Sequence, residues 1–243
     1  MRHTATIAVE SSKSSLVKPM PAKVASNTSR VSPWLTSLLY PLGHYIVLPF
    51  HFRKIEITGQ EHLPKDGPVI LAPTHRSRWD ALMMPYSTGQ MVTGRDLRFM
   101  VTADEVKGLQ GWFIRHLGGF AVDIKHPAIS SLRYGVELLL FKQMLVIFPE
   151  GGIFQDGEVH PIKAGLARLA MQAELSAPGL GVKIVPMSIR YRPHIPRWGS
   201  HVKIAIGAPI SVADYTSGGG GKKEARLLTA ELEMALKNLD ESC

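Results

Sequence analysis

His75 and Asp80 are the residues whose types and spacing invite chemistry. The histidine closes the apolar run Val69-Ile70-Leu71-Ala72-Pro73-Thr74, and the aspartate stands five positions on, just before Ala81-Leu82-Met83-Met84. On one continuous helix five residues turn by about 500°, so the two side chains would not share a face. With His75 in a turn and Asp80 in the first turn of the following helix, they can meet. The carboxylate then holds one imidazole nitrogen while the other faces a substrate hydroxyl, the base and orienter of a triad without a protein nucleophile. The H-x-x-x-x-D pair alone is a weak signal. A metal site at the same residues is a rival reading, although two ligands without a third seldom suffice. A second element, Val146-Ile147-Phe148-Pro149-Glu150-Gly151-Gly152, runs an apolar strand into glycines that let backbone approach a ligand closely.

The elements that must position these residues follow from hydropathy patterning. From Arg53 onward short apolar runs alternate with helical periodicity, the pattern of an α/β domain. Strands are expected over 54–58, 69–73, 97–101, 119–123, 144–148, 183–189 and 201–206. Helices are expected over 78–87, 103–117, 127–143, 161–175 and 222–239. The last carries Leu228, Leu232, Ala235, Leu236 and Leu239 on one face, which packs it on the sheet. The expected fold is α/β: a mixed, mostly parallel sheet flanked by helices, spanning residues 53–243.

Two segments precede that domain. Residues 1–30, rich in Ser and basic residues, read as a disordered leader; an organelle transit peptide shares that bias. Between Arg30 and Arg53 there is no formal charge. Ser32-Pro33 starts a helix whose apolar face is Trp34, Leu35, Leu38, Leu39, Leu42, Tyr45 and Ile46, with Thr36, Ser37, Tyr40, Gly43 and His44 opposite. Pro41 is expected to kink this helix and Pro49 to end it. Residues 31–52 are therefore read as an amphipathic helical segment that associates with a membrane as a monotopic or peripheral anchor. A core helix and a full span are the other readings.

Composition narrows the partners. The 243 residues are 45% hydrophobic and 20% charged, the profile of a folded chain. The formal net charge of +8 favours anionic partners such as acidic phospholipid or a phosphorylated substrate. The single cysteine, Cys243, permits no intrachain disulfide, and the ten histidines show no zinc spacing. Gly218–Gly221 before Lys222-Lys223 lacks the spacing of a phosphate loop, and no G-x-S-x-G elbow is present. Basic residues are not gathered on one recognition helix, so nucleic acid is not an expected partner.

Four blocks carry a resemblance. His75-Arg76-Ser77-Arg78-Trp79-Asp80, then Gly111–Arg115 through Gly118–Asp123, then Phe148-Pro149-Glu150-Gly151, then Ile184-Val185-Pro186-Met187, stand in this order. Together with the lead-in Ile57–Pro64, they resemble the glycerolipid acyltransferases, whose best-known members act on lysophosphatidic acid. The resemblance runs from about Arg53 to Pro209. It implies transfer of a fatty acyl chain from acyl-CoA or acyl carrier protein to the free hydroxyl of 1-acyl-glycerol-3-phosphate. The product would be phosphatidic acid, in phospholipid synthesis on the cytoplasmic face of a membrane. Another lipid or polyol hydroxyl as acceptor, or a non-catalytic lipid-binding module, are its alternatives.

The resemblance also assigns roles. His75 would be the general base and Asp80 its orienter. Arg78, Glu150, Gly151, Gly152 and Lys163 would seat the acceptor, and no resident cofactor is implied beyond the acyl-donor substrate. Two departures stand out: Ile124 replaces an arginine of the second block, and Gly152-Ile153 replace Thr-Arg of the third. Arg76, Arg78, Lys125 and Lys163 are the basic residues left to meet an acceptor phosphate, with Arg78 and Lys163 foremost.

Overall fold

The computed structural model describes residues 31–106, 108–122 and 129–242. The expected leader, and Ile124 and Lys125, lie outside them. An N-terminal helix, α1 (Pro33–Leu42), passes through a wide π turn (Gly43–Val47) into α2 (Leu48–His51). The domain then follows as β1 (Phe52–Thr58), β2 (Val69–Pro73), α3 (Asp80–Thr88), α4 (Gln90–Thr93), β3 (Leu97–Thr102) and α5 (Gly108–His116). It continues with β4 (Gly119–Val122), α6 (Ile129–Leu140), β5 (Met144–Val146), α7 (Gly165–Ser176), β6 (Lys183–Arg192), β7 (Ser200–Ile206), β8 (Ile210–Ser211) and α8 (Lys222–Glu241).

The strands form one sheet in the order β1-β7-β6-β2-β5-β3-β4, with β8 beside β6. Only β6 runs antiparallel to its neighbours β7 and β8; every other pairing is parallel. The expected mixed, mostly parallel α/β sheet is thus present. Alternation along β2 sends Val69 and Leu71 to one face and Ile70 and Ala72 to the other, all fully buried. A parallel strand covered on both faces must be apolar throughout, as this one is. One face is closed by α6, α7 and α8, the other by α2 and α3.

Several boundaries differ from expectation, each for a local reason. β5 stops at Val146, because the chain leaves the ladder toward Pro149. β6 extends to Arg192, because β7 keeps pairing with it beyond the end of β2. The helix expected over 103–117 is split into a single 3₁₀ turn (Ala103–Glu105) and α5, which begins at Gly108 with φ +57°. The helix expected from Pro161 begins only at Gly165, because the Lys163 N–H bonds the Pro149 carbonyl instead of a helical partner.

The N-terminal helix departs most. Pro41 does not stop it: the ladder, deprived of the Pro41 donor, widens, and the Leu48 N–H reaches Gly43, five residues back. The helix ends at His51, past Pro49. Its orientation is inverted relative to an ordinary surface helix. Leu35 and Thr36 are buried, whereas Trp34 (63% exposed), Leu38, Leu42, Tyr45, Ile46 and Phe50 (69% exposed) face outward. The inward side carries Tyr40 and His44; the His44 ring lies 4.4 Å from that of Tyr86 on α3. Burial, with the Asp96 charge nearby, pushes the Tyr40 phenol up to about 12. Among the described residues no helix is long and apolar enough to cross a membrane.

Candidate active site

β2 and β5 are adjacent parallel strands, and the loops leaving their carboxyl ends meet. In open α/β sheets that edge is where ligands bind. β2 delivers Thr74 and His75; its register is continued past Pro73 by a bond from the Thr74 N–H to the Met187 carbonyl at 2.9 Å. Asp80 is the first residue of α3 and is fully buried. The turn between them lets the side chains meet: His75 Nδ1 lies 2.9 Å from Asp80 Oδ2. The Arg76 and Ser77 N–H groups donate to the same oxygen at 2.6 and 2.8 Å. Donation from Nδ1–H leaves Nε2 as the acceptor nitrogen. Nε2 has no partner among the described residues, and the His75 side chain is 19% exposed. The imidazole is therefore ordered at one nitrogen and open at the other.

Two contacts absent from the sequence reading complete the dyad. The Phe148 ring stacks on the imidazole at 3.9 Å between centroids, fixing its plane. Tyr191 on β6 donates its hydroxyl to Asp80 Oδ1 at 2.6 Å. Tyr191 lies 111 residues from Asp80. Only the alternation Val185, Met187, Ile189, Tyr191 along β6, all on the face bearing the dyad, could have pointed to it.

Glu150 is enclosed beside the dyad. Its carboxylate faces inward, fully enclosed, with Arg76 Nη1 at 2.8 and 3.1 Å from its two oxygens. It also accepts the backbone N–H groups of His75 and His160, each at 3.3 Å. Glu150 thus ties the His75 loop to the Pro-Glu-Gly-Gly turn. A second tie runs from the Phe154 N–H to the His75 carbonyl at 2.9 Å.

The other expected acceptor contacts divide. Gly151 has φ +73°, and a Cβ there would lie 2.5 Å from Lys163 Nζ, so the lysine chain lies along the glycine. Lys163 Nζ has no polar partner among the described residues and stands at the turn bonded to His75. Gly152 follows, half-buried against the Phe154 ring. Arg78 instead points outward, 76% exposed, and pairs with Glu105 at 3.0 Å. No group of three metal-ligating side chains occurs among the described residues, so the metal reading of His75 and Asp80 gains no third ligand.

A histidine oriented by a buried carboxylate, its free nitrogen open at the carboxyl edge of a parallel sheet, has the geometry to accept a proton from an external group. The family profile described as Acyltransferase matches residues 54–190, more than half of the chain, and the chain belongs to that family. It is similar to a 1-acyl-sn-glycerol-3-phosphate acyltransferase of Streptococcus pneumoniae, 26% identical over 158 residues (62% of this chain, 53% of that one). It is also similar to the human 1-acyl-sn-glycerol-3-phosphate acyltransferase alpha, 31% identical over 128 residues (50% of this chain, 43% of that one). The chain spans about half the length of these two relatives. Against a Bacillus subtilis enzyme of the same name it is 24% identical over 193 residues, covering 76% of this chain and 88% of that one. The crystal structure of the 1-acyl-sn-glycerophosphate (LPA) acyltransferase of Thermotoga maritima shares the fold. The TM-score is 0.64 at 22% identity, covering 86% of this chain and 79% of that one.

Proposed function

We propose that the protein moves an acyl chain from an acyl thioester, acyl-CoA or acyl carrier protein, to the free hydroxyl of 1-acyl-glycerol-3-phosphate, giving phosphatidic acid. The observation that carries this reading is the open Nε2 of an otherwise fully ordered His75–Asp80 pair. Nε2 takes the hydroxyl proton as the oxygen attacks the thioester carbonyl. Asp80 stabilises the imidazolium that forms. The tetrahedral intermediate then collapses, breaking the carbon–sulfur bond, and the imidazolium returns its proton to the leaving thiolate. Lys163, lying along Gly151, supplies a cation for the acceptor phosphate.

The acceptor reaches this site from a lipid surface. The outward band of α1 and α2, joined by Ile195 and Trp198 from the loop before β7, is an exposed apolar surface with aromatic groups. Phe50 and Trp198 meet edge-to-face at 4.3 Å, which makes the helix and the loop one surface. We assign it to lie in the headgroup region of a bilayer on the cytoplasmic side.

The test presents labelled acyl-CoA and acyl carrier protein with a panel of lyso-lipids and scores product and released thiol. Phosphatidic acid formed by the wild type and lost in His75→Ala supports the reading. Product from a phosphate-free acceptor alone would move the activity to another lipid or polyol hydroxyl. No product from any pair would overturn it.

A further inference from the structure

We infer that Tyr191 is a positioning residue: through Asp80 it fixes the orientation and sets the basicity of His75. This rests on the assignment of His75 as the base. β2 ends at Pro73, opposite Met187, whereas β6 runs on to Arg192 with β7 still paired to it. That projecting end carries Tyr191 beneath the turn from His75 to Asp80, held by a bond from the Ile189 N–H to Thr74 Oγ1 at 2.9 Å.

The residue is 2% exposed and packs its ring near Phe52, at 5.9 Å between centroids. Packing alone would be met by phenylalanine, because a buried hydroxyl is costly unless it is bonded. Here the hydroxyl is bonded, and to a particular atom. Asp80 Oδ2 carries three donors, His75 and the Arg76 and Ser77 N–H groups. Oδ1 carries Tyr191 and no other partner among the described residues. Burial first, then the Asp80 charge and hydrogen bond, raises the phenol far above its ordinary range, so it remains a donor at any working pH.

The consequence is electrostatic as well as steric. Each donor to a carboxylate draws charge from it, and so weakens its hold on a neighbouring imidazolium. The other charged or titratable groups facing this triplet come from the loops after β2 and β5 and from α2. They are Arg76 paired with Glu150, His160 with its ring on Asp156, Lys163 along Gly151, and His51 stacked on Trp79. None of them bonds Oδ1 among the described residues. Tyr191 is therefore the lever on that oxygen.

The test is an ¹⁵N NMR titration of the His75 imidazole in the full chain, assigned by its loss in His75→Ala. Three proteins are compared: wild type, Tyr191→Phe, and the chain carrying 3-fluorotyrosine at position 191. Tyr191→Phe should titrate about half a unit or more above wild type, and fluorotyrosine, a stronger donor of nearly the same shape, below it. The acidic limb of kcat/KM should move in the same order, because the base form is then lost at higher pH in Tyr191→Phe. Equal His75 titration in all three would overturn the proposal. If Tyr191→Phe does not fold, the fluorotyrosine protein decides alone. Should His75→Ala retain turnover while the titrations keep this order, the base assignment fails and the coupling stands.

Discussion

Removing the His75 imidazole leaves Asp80 with its backbone and tyrosine donors but takes away the proton acceptor. His75→Ala should therefore lose about 10²–10⁴-fold in kcat with little change in melting temperature. Asp80→Asn should lose less activity and more stability, since four donors converge on that carboxylate. Glu150→Gln separates support from chemistry. Arg76 is 3% exposed, and its Nε and Nη2 already lack partners among the described residues, so losing the Glu150 charge strands a buried cation. Denaturant unfolding should show a loss of roughly 3–5 kcal/mol. A variant as stable as wild type would mean that the pair is not a clamp. At this scale the sequence was uneven. His75 and Asp80 were legible because the turn joining them is short. Phe148 and Tyr191 were not, because an aromatic within an apolar run reads as core whatever its ring or hydroxyl meets. The enclosure of Glu150 was not legible for a related reason: a carboxylate beside glycines looks open until the arginine that covers it is placed.

Elements were legible where periodicity was long. The α8 stripe was read correctly in kind: Leu228, Leu232 and Leu236 are at most 1% exposed, and Ala225 and Asp240 extend it. Leu236→Ala should cost about 2–5 kcal/mol, measured as a shift in the urea midpoint. A cost below 1 kcal/mol would show that α8 can slide to refill the space. Element ends were less legible, because they answer to partners distant in sequence. β6 runs long on account of β7, and α7 starts late on account of a bond to Pro149. The N-terminal helix shows the same limit in another form. Its apolar stripe was legible, but Leu35 joins Thr36 inside while Ser37 lies outside, and which side meets the domain depends on α3 and the loop before β7.

For the whole molecule, the outward apolar band and the net charge of +8 act together. Binding to vesicles containing phosphatidylglycerol should weaken with added salt, and should fall about tenfold or more in a Trp34→Ser, Phe50→Ser double variant. Unchanged sedimentation with vesicles would place any membrane contact elsewhere. The π turn decides whether that band exists at all. Sixteen residues separate Trp34 from Phe50, and a plain α-helix at about 100° per residue would set them about 160° apart, on opposite sides. One extra residue absorbed by the wide turn takes back roughly 100° and returns Phe50 to the side of Trp34. The turn is thus a phase corrector, and its residue count matters more than its residue types. Deleting one residue within Gly43–Val47 should close the turn to plain α-helix and keep Trp34 and Phe50 about 60° apart on one side, whereas inserting one should set them about 160° apart and split the outward apolar band, while conservative substitutions there should change little.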